Sequence, residues 1–159
     1  MTSIMLNQTV PDFELTATSG VTFKLSDYQD KAQGKTLVIY FYPKDNTPGC
    51  TTQGMQFRDN YAEFQAANAE IVGVSRDSLK SHENFKAKFT LPFELLADTE
   101  ELACGIFGVM KMKNMYGKQV RGVERSTFII GKNGTLIREW RGVKVDGHAL
   151  EVLNFIKAL

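Results

Sequence analysis

The chain has 159 residues, of which 43% are hydrophobic and 23% charged, and its net charge is +1. This composition excludes a disordered or fibrous chain, and the length suits a single domain spanning residues 1–159. The small net charge gives no general attraction to nucleic acid or to an acidic membrane surface, and we predict neither as a partner. No apolar run is long enough for a membrane span or a signal peptide, so we predict a soluble cytoplasmic protein. Two cysteines form neither a disulfide scaffold nor a complete zinc site.

Four short segments in the first part of the chain have the pattern of strands, at residues 21–25, 36–42, 70–75 and 94–97. The run 36–42 is continuous and uncharged, which is typical of a strand buried on both faces of a sheet. A helix is predicted at 78–89, ending before Pro92. A later helix is predicted to begin at Asp98, with Glu101 completing a capping box, and to carry Cys104.

A change of period marks the start of another helix at Cys50. The residues that define its apolar face recur at intervals of three and four, and they are Gly54, Phe57, Tyr61 and Phe64. This spacing is typical of an amphipathic helix. Because Cys50 lies on the same face in the first turn, we expect its sulfur to point towards the body of the protein.

The last part of the chain predicts a hairpin and a terminal helix. Segments 126–130 and 135–140 flank an Asn-Gly dipeptide, which favours a tight hairpin turn, and the final helix is predicted at 146–159. Residues 110–123 carry four cations and three methionines and predict an irregular surface loop, with an adaptable contact surface as the alternative. The order of elements predicts an α/β fold, a mixed central β-sheet flanked by helices on both faces.

Cys50 has the strongest chemical indication in the chain. It follows the strand 36–42 and a Pro-Gly turn, and it stands at the start of a helix. Amides in the first helical turn lack partners within the helix, and together with the helix dipole they stabilise an anion. This position favours thiolate over thiol and makes Cys50 a nucleophile, whereas the alternative is a buried packing cysteine.

One reaction open to such a thiolate is the reduction of a peroxide, in which the thiolate attacks one oxygen and the other leaves as an anion. Several neighbours of Cys50 are compatible with it. Thr47, one helical turn earlier, can donate its hydroxyl hydrogen to the thiolate or to the peroxide. Pro43 ends the strand without an amide donor and can shield one wall of the pocket. Gly49 allows a close approach of other groups to the backbone.

A permanent cation beside the sulfur completes such a site, and a guanidinium can contact sulfur and peroxide oxygen together. Arg125, immediately before the predicted strand 126–130, is our candidate. The residues alone leave competitors, which are Arg58, Arg76, Arg121, Arg138 and Arg141.

The segment 41–51 resembles the Pro-x-x-x-Thr-x-x-Cys motif of the peroxiredoxins, and in particular that of the peroxiredoxin Q group, also called bacterioferritin comigratory proteins. Segments 10–13, 95–98 and 123–130 resemble the same group in the same order. The resemblance implies a thioredoxin-like fold and a peroxidase without cofactor or metal. Its site residues are Cys50 as the peroxidatic cysteine with Thr47, Pro43 and Arg125. Hydrogen peroxide and alkyl hydroperoxides are the implied substrates, and a monomer is the implied state.

The chain departs from this group at the resolving cysteine. The two usual positions are occupied here by Met55 and Lys86, and the only other cysteine is Cys104. We interpret Cys104 either as a packing residue or as an unusual resolving cysteine that requires local unfolding. We favour a one-cysteine cycle, in which thioredoxin, glutaredoxin or glutathione reduces the oxidised Cys50.

The sequence leaves two other functions open. A disulfide oxidoreductase on the same fold needs Cys-x-x-Cys, which segment 49–53 lacks. A redox sensor or holdase would use the oxidation of Cys50 to alter a partner surface. Neither histidine is predicted to be catalytic, since His82 and His148 are interpreted as surface or helix-capping residues.

Overall fold

A computed structural model describes residues 4–29 and 34–159. The strands, in chain order, are β1 (Glu14–Thr16), β2 (Thr22–Lys24), β3 (Thr36–Phe41), β4 (Ala69–Ser75), β5 (Glu94–Ala97), β6 (Met110–Met115), β7 (Lys118–Val123), β8 (Ser126–Ile130) and β9 (Leu136–Arg141). The helices are α1 (Pro48–Asp59), α2 (Tyr61–Ala66), α3 (Leu79–Phe89), α4 (Leu102–Phe107) and α5 (His148–Lys157). None of the helices in the described ranges has the length and apolar character needed to cross a membrane.

Five strands form a mixed central sheet in the order β5-β4-β3-β8-β9. β4 pairs in parallel with both β3 and β5, whereas β8 pairs antiparallel with both β3 and β9. All six residues of β3 are buried, as expected for an inner strand covered on both faces. The α/β fold with a mixed sheet that the sequence predicts is therefore confirmed.

Side chains alternate along β3 and divide the core into two clusters, one on each face of the sheet. One cluster contains Phe41, Phe107 and Cys104, and it is covered by α4 and the β1–β2 hairpin. The other contains Tyr40 and Cys50, and it is covered by α1, α2, α3 and α5. The two cysteines thus lie in different halves of the core.

Residues 110–123 form an antiparallel hairpin, so the predicted irregular loop is wrong. β6 and β7 pair over their whole length, from Met110 opposite Val123 to Met115 opposite Lys118. The connecting residues Tyr116 and Gly117 both have positive φ, 53° and 78°, as in a type I′ hairpin turn. Most side chains on both strands are exposed or half-exposed. The sequence therefore lacks the alternation of apolar and polar residues that identifies a half-buried strand.

The start of α4 differs in detail from the predicted capping box. The Asp98 carboxylate does cap the helix, since it accepts hydrogen bonds from the amides of Leu102 and Cys104, both at 2.8 Å. Glu101, however, has a left-handed backbone, and its carboxylate pairs with Arg121 instead of returning to the amide of Asp98. The helix therefore begins at Leu102, four residues after Asp98.

Candidate active site

The candidate site lies where β3 ends and α1 begins. Pro48 occupies the first turn of α1, where its missing amide hydrogen costs nothing, so the helix starts two residues before the predicted position. This makes Cys50 the third residue of the helix. The predicted inward direction of its side chain is confirmed, because Cys50 is only 2% exposed and belongs to the core cluster that contains Tyr40.

Arg125 reaches Cys50 through the pairing of distant strands. Ser126, the first residue of β8, lies opposite Phe41, the last residue of β3, so the residue before β8 lies beside the end of β3. The Arg125 side chain donates from Nη2 to Sγ of Cys50 at 3.4 Å. A guanidinium in this position stabilises negative charge on the sulfur.

The competing arginines are engaged elsewhere. Arg58 contacts the carbonyl of Phe89, while Arg76 and Arg121 pair with Glu101. Arg141 donates to the carbonyls of Phe107 and Gly108, and Arg138 lies over the ring of Trp140. Among the arginines that the sequence leaves open, the structure brings Arg125 to the sulfur.

Gln53 is a site residue that the sequence analysis missed. It is fully buried one turn after Cys50, and its Oε1 accepts a hydrogen bond from Nη1 of Arg125 at 2.6 Å. Arg125 therefore bridges two residues of the same face of α1, Cys50 and Gln53. The spacing of three residues, which places side chains on one helix face, is the signal that could have identified it.

Thr47 and Gly49, which precede Cys50 in the chain, have roles that differ from each other. The Thr47 hydroxyl donates to the carbonyl of Lys44 at 2.8 Å, so the expected donation from Thr47 to the thiolate is corrected. With its hydrogen engaged, the hydroxyl oxygen is left as an acceptor. At Gly49, a Cβ would lie 3.2 Å from Nη2 of Arg125, so glycine leaves room for the guanidinium, as expected. Pro43, two residues after the end of β3, is half-buried.

Asp45 anchors the loop between β3 and α1. Its carboxylate accepts hydrogen bonds from the Tyr42 hydroxyl, the Ser81 hydroxyl and Nδ1 of His82, each at 2.7 Å. Nε2 of His82 donates to the carbonyl of Leu96 at 2.9 Å. Burial alone would raise the pKa of Asp45, but the hydrogen bonds and charge of His82, with those of Tyr42 and Ser81, hold it below its usual value. The loop is thereby fastened to α3.

Both histidines are interior residues, and their interpretation as surface or helix-capping residues is wrong. His82 is fully buried, and His148 is 3% exposed. His148 contacts the hydroxyl of Thr127 through Nε2 at 2.8 Å, and burial lowers its pKa below 6.5. Sequence patterns missed His82 because it lies among polar residues of α3. They missed His148 because its partner, Thr127, belongs to a strand that is distant in the chain.

One group of three potential metal ligands occurs in the described part of the chain, Asp45, Asp77 and His82. Its polar atoms already bond to protein groups: Oδ2 of Asp77 accepts from the Ser75 hydroxyl and from the amide of Asp45. Nδ1 of His82 faces the Asp45 carboxylate. This group is therefore explained as a hydrogen-bonded anchor for the loop.

Cys104 is remote from this site. It is completely buried on the other face of the sheet, and both cysteines are free thiols. Burial raises the pKa of the Cys104 thiol, and the nearby Asp98 carboxylate raises it further. A disulfide with Cys50 would require the sheet between them to be disrupted.

A shallow groove of about 340 Å³ borders the first turn of α1. It is lined by Pro48, Gly49, Thr52, Gln56, Val145 and Asp146. The groove gives space for an organic group close to the residue that precedes Cys50.

Comparison with known proteins agrees with this geometry. Residues 6–139 match the AhpC/TSA family. Peroxiredoxin Bcp of Bacillus subtilis is 50% identical over 155 residues, which cover 98% of this chain and 96% of that protein. A mutant of Xylella fastidiosa PrxQ superimposes with a TM-score of 0.91 at 42% identity, covering 99% of this chain and 98% of that one.

A second solved structure is that of the bacterioferritin comigratory protein of Xanthomonas campestris, a protein with alkyl peroxide reduction activity. It superimposes with a TM-score of 0.85 at 50% identity, covering 92% of this chain and 90% of that one. Sequence and fold thus agree over nearly the whole chain. The chain belongs to the AhpC/TSA family and, within it, to the peroxiredoxin Q or Bcp group of thiol-dependent peroxidases.

Proposed function

We propose that the protein reduces hydrogen peroxide and alkyl hydroperoxides with Cys50 as the attacking residue. The observation that carries the proposal is the contact of 3.4 Å between the Arg125 guanidinium and Sγ of Cys50 in the first turn of α1. The groove beside Gly49 supports the inclusion of organic hydroperoxides, because it offers space for a substituent. No cofactor takes part in the proposed reaction.

The first step forms a bond between Sγ and the nearer peroxide oxygen as the O–O bond breaks. The thiolate becomes a sulfenic acid, and the other oxygen leaves as hydroxide or alkoxide and takes up a proton from solvent. Arg125 stabilises the developing negative charge, and the Thr47 oxygen accepts the hydrogen bond of the peroxide O–H. Pro43 limits the access of water beside the strand end.

The second half of the cycle uses an external thiol. That thiol attacks the sulfenic sulfur of Cys50, a mixed disulfide forms, and water leaves. A further thiol then releases Cys50 as a thiol and carries away the disulfide. The burial of Cys104 on the opposite face of the sheet supports this one-cysteine cycle, with thioredoxin, glutaredoxin or glutathione as the reductant.

The test follows peroxide consumption over many turnovers with dithiothreitol as the reductant. Wild type and Cys104→Ser are expected to turn over at the same rate, whereas Cys50→Ser is expected to be inactive. A sulfenic acid trapped by dimedone on Cys50 identifies the attacking residue. Loss of turnover in Cys104→Ser with intact sulfenate formation would refute the one-cysteine cycle. Turnover by Cys50→Ser would refute the function itself.

We also propose a monomeric protein acting in the cytoplasm. The two free thiols support a reducing compartment, since neither sulfur is engaged in a structural disulfide. Light scattering at micromolar concentration tests the monomer, and fractionation of cells tests the compartment.

A further inference from the structure

The β6–β7 hairpin carries a one-sided charge. Within residues 110–123 the sequence contains four cations and no carboxylate. Lys111 and Lys118 are exposed, and no ion pair involves either of them in the described part of the structure. Such a surface attracts an acidic partner over distances of about 8 Å at physiological salt.

The pairing register places the lysines on one face of the hairpin. Residues opposite each other share a face, and the face alternates along each strand. Lys111 lies opposite Gly122, Lys113 opposite Val120, and Met115 opposite Lys118. We call this the lysine face; its members are Lys111, Lys113, Met115, Lys118, Val120 and Gly122. Met115 and Val120 are 48% and 42% exposed, so the face combines cations with apolar contact area.

The lysine face adjoins the candidate active site. The Lys113 side chain crosses Gly122, where a Cβ would lie 3.6 Å from it, and its Nζ donates to the carbonyl of Val123. Arg125 follows two residues later in the chain. Burial lowers the pKa of Lys113, and the nearby Arg125 lowers it further, which agrees with this proximity. A protein bound to the lysine face would therefore stand next to Cys50.

The proposed catalytic cycle requires such a neighbour, because no second cysteine can reach the oxidised sulfur within the fold. Resting on that proposed function, we infer that the lysine face is the docking surface for a thiol protein whose reactive cysteine is surrounded by acidic residues. Carboxylates of that protein pair with Lys111 and Lys118, while its apolar groups contact Met115 and Val120. Binding there raises the concentration of the attacking thiol beside Cys50.

The dimensions favour a protein over a small anionic thiol. β6 has six residues and is about 20 Å long, and Lys111 and Lys118 are separated by roughly 13 Å along the hairpin. A tripeptide thiol such as glutathione would contact one lysine and leave the other unused. A protein surface of ordinary interface size covers both lysines and the apolar residues between them.

The experiment compares two reductants in wild type and in K111E/K118E. Hydrogen peroxide consumption is measured at increasing concentrations of an acidic thioredoxin, recycled by its reductase and NADPH, and separately with dithiothreitol. We expect kcat/KM for thioredoxin to fall about tenfold or more in the variant at low salt, because two attractive charges become repulsive. The difference is expected to shrink in about 0.5 M salt. Turnover with dithiothreitol is expected to be unchanged.

The matched control is K35E/K132E, which changes the net charge equally. Both control lysines are exposed, and both lie at the opposite end of the sheet, because Leu37 at the start of β3 pairs with Ile130 at the end of β8. An equal loss in the control, or unchanged thioredoxin kinetics in K111E/K118E, overturns the docking inference. So does wild-type turnover with glutathione but not with thioredoxin.

The dithiothreitol measurement distinguishes a failure of the docking inference from a failure of the proposed function on which it rests. If wild type consumes no peroxide with dithiothreitol, the proposed function fails. If only K111E/K118E loses that activity, the single variant K118E, near the exposed hairpin tip, takes its place. A thioredoxin defect in K118E with normal dithiothreitol turnover supports the inference, and normal turnover with both reductants overturns it.

Discussion

Cys50 and Cys104 occupy equivalent positions in two helices, yet their surroundings are opposite. Each is the third residue of its helix, and each is almost completely buried. At α4 the Asp98 carboxylate accepts from the first-turn amides, including that of Cys104. At α1 no side chain caps the helix, and the Arg125 guanidinium donates to the sulfur of Cys50.

From this difference we infer that a helix N-terminus does not by itself make a cysteine reactive. The free amides of a first turn stabilise one anion, and the anion can be a carboxylate or a thiolate. In α4 that anion is Asp98. Burial raises the pKa of the neighbouring Cys104 thiol, and the charge of Asp98 raises it further. In α1 the first turn is left for the sulfur. Under the proposed function, what surrounds each helix end therefore decides which cysteine acts as the nucleophile.

The largest expected contrast is in alkylation. With iodoacetamide at pH 7 in the native protein, we expect Cys50 to react at least about a thousandfold faster than Cys104, which is neutral and can react only after local opening. Peptide mass spectrometry of timed samples measures both rates. In urea the two cysteines should react alike, which serves as the control. Similar alkylation rates for Cys50 and Cys104 in the native protein would contradict the expected difference in reactivity.

Removal of the guanidinium should bring Cys50 closer to an ordinary cysteine. In Arg125→Ala we expect the second-order rate with hydrogen peroxide to fall about 10²- to 10³-fold, because a preorganised donor to the developing charge is lost. Arg125→Lys retains the charge but not the planar fork, so an intermediate rate is expected. Stopped-flow fluorescence under single-turnover conditions measures the step. An unchanged rate in Arg125→Ala would show that Arg125 has no role in the chemistry.

These contrasts also show how far the sequence predicted the molecule. Strand β3 and the inward direction of Cys50 followed from local patterns of apolar residues. Arg125 could not be chosen from the residues alone, because its position depends on the pairing of β3 with β8, which are far apart in the chain. The family resemblance selected it, and the geometry agrees with that choice.

The missed features share a non-local origin. Whether Cys104 could meet Cys50 depended on which face of the sheet each helix covers, and spacing within a helix does not reveal this. His82 looked polar and exposed because its partner, Asp45, belongs to a different element. The β6–β7 hairpin was missed for another reason, since both of its faces are largely open to solvent.

A stability measurement tests the role of Asp98 at the start of α4. In Asp98→Ala the α4 amides lose a buried acceptor, and we expect the free energy of unfolding to decrease by about 2 kcal/mol. Urea titration followed by circular dichroism measures it. The matched control is Asp12→Ala, where an aspartate accepts from the amide of Ser26 at an exposed site and a smaller loss is expected. Peroxide reduction by folded Asp98→Ala should remain normal, and a defect there would link the two halves of the core.

The smallest expected effect concerns the residue that holds the guanidinium. Gln53→Met keeps the volume of the side chain but removes the oxygen that accepts from Nη1 of Arg125. We expect the single-turnover rate with peroxide to fall about tenfold, since Arg125 stays near the sulfur but is less well oriented. The rate with the external thiol should change less, and Gln65→Met on the exposed face of α2 is the control. If Gln53→Met matched wild type in both steps, the contact between Arg125 and Sγ would be maintained without Gln53. The local electrostatics of Cys50 would then depend on α1 and Arg125 alone.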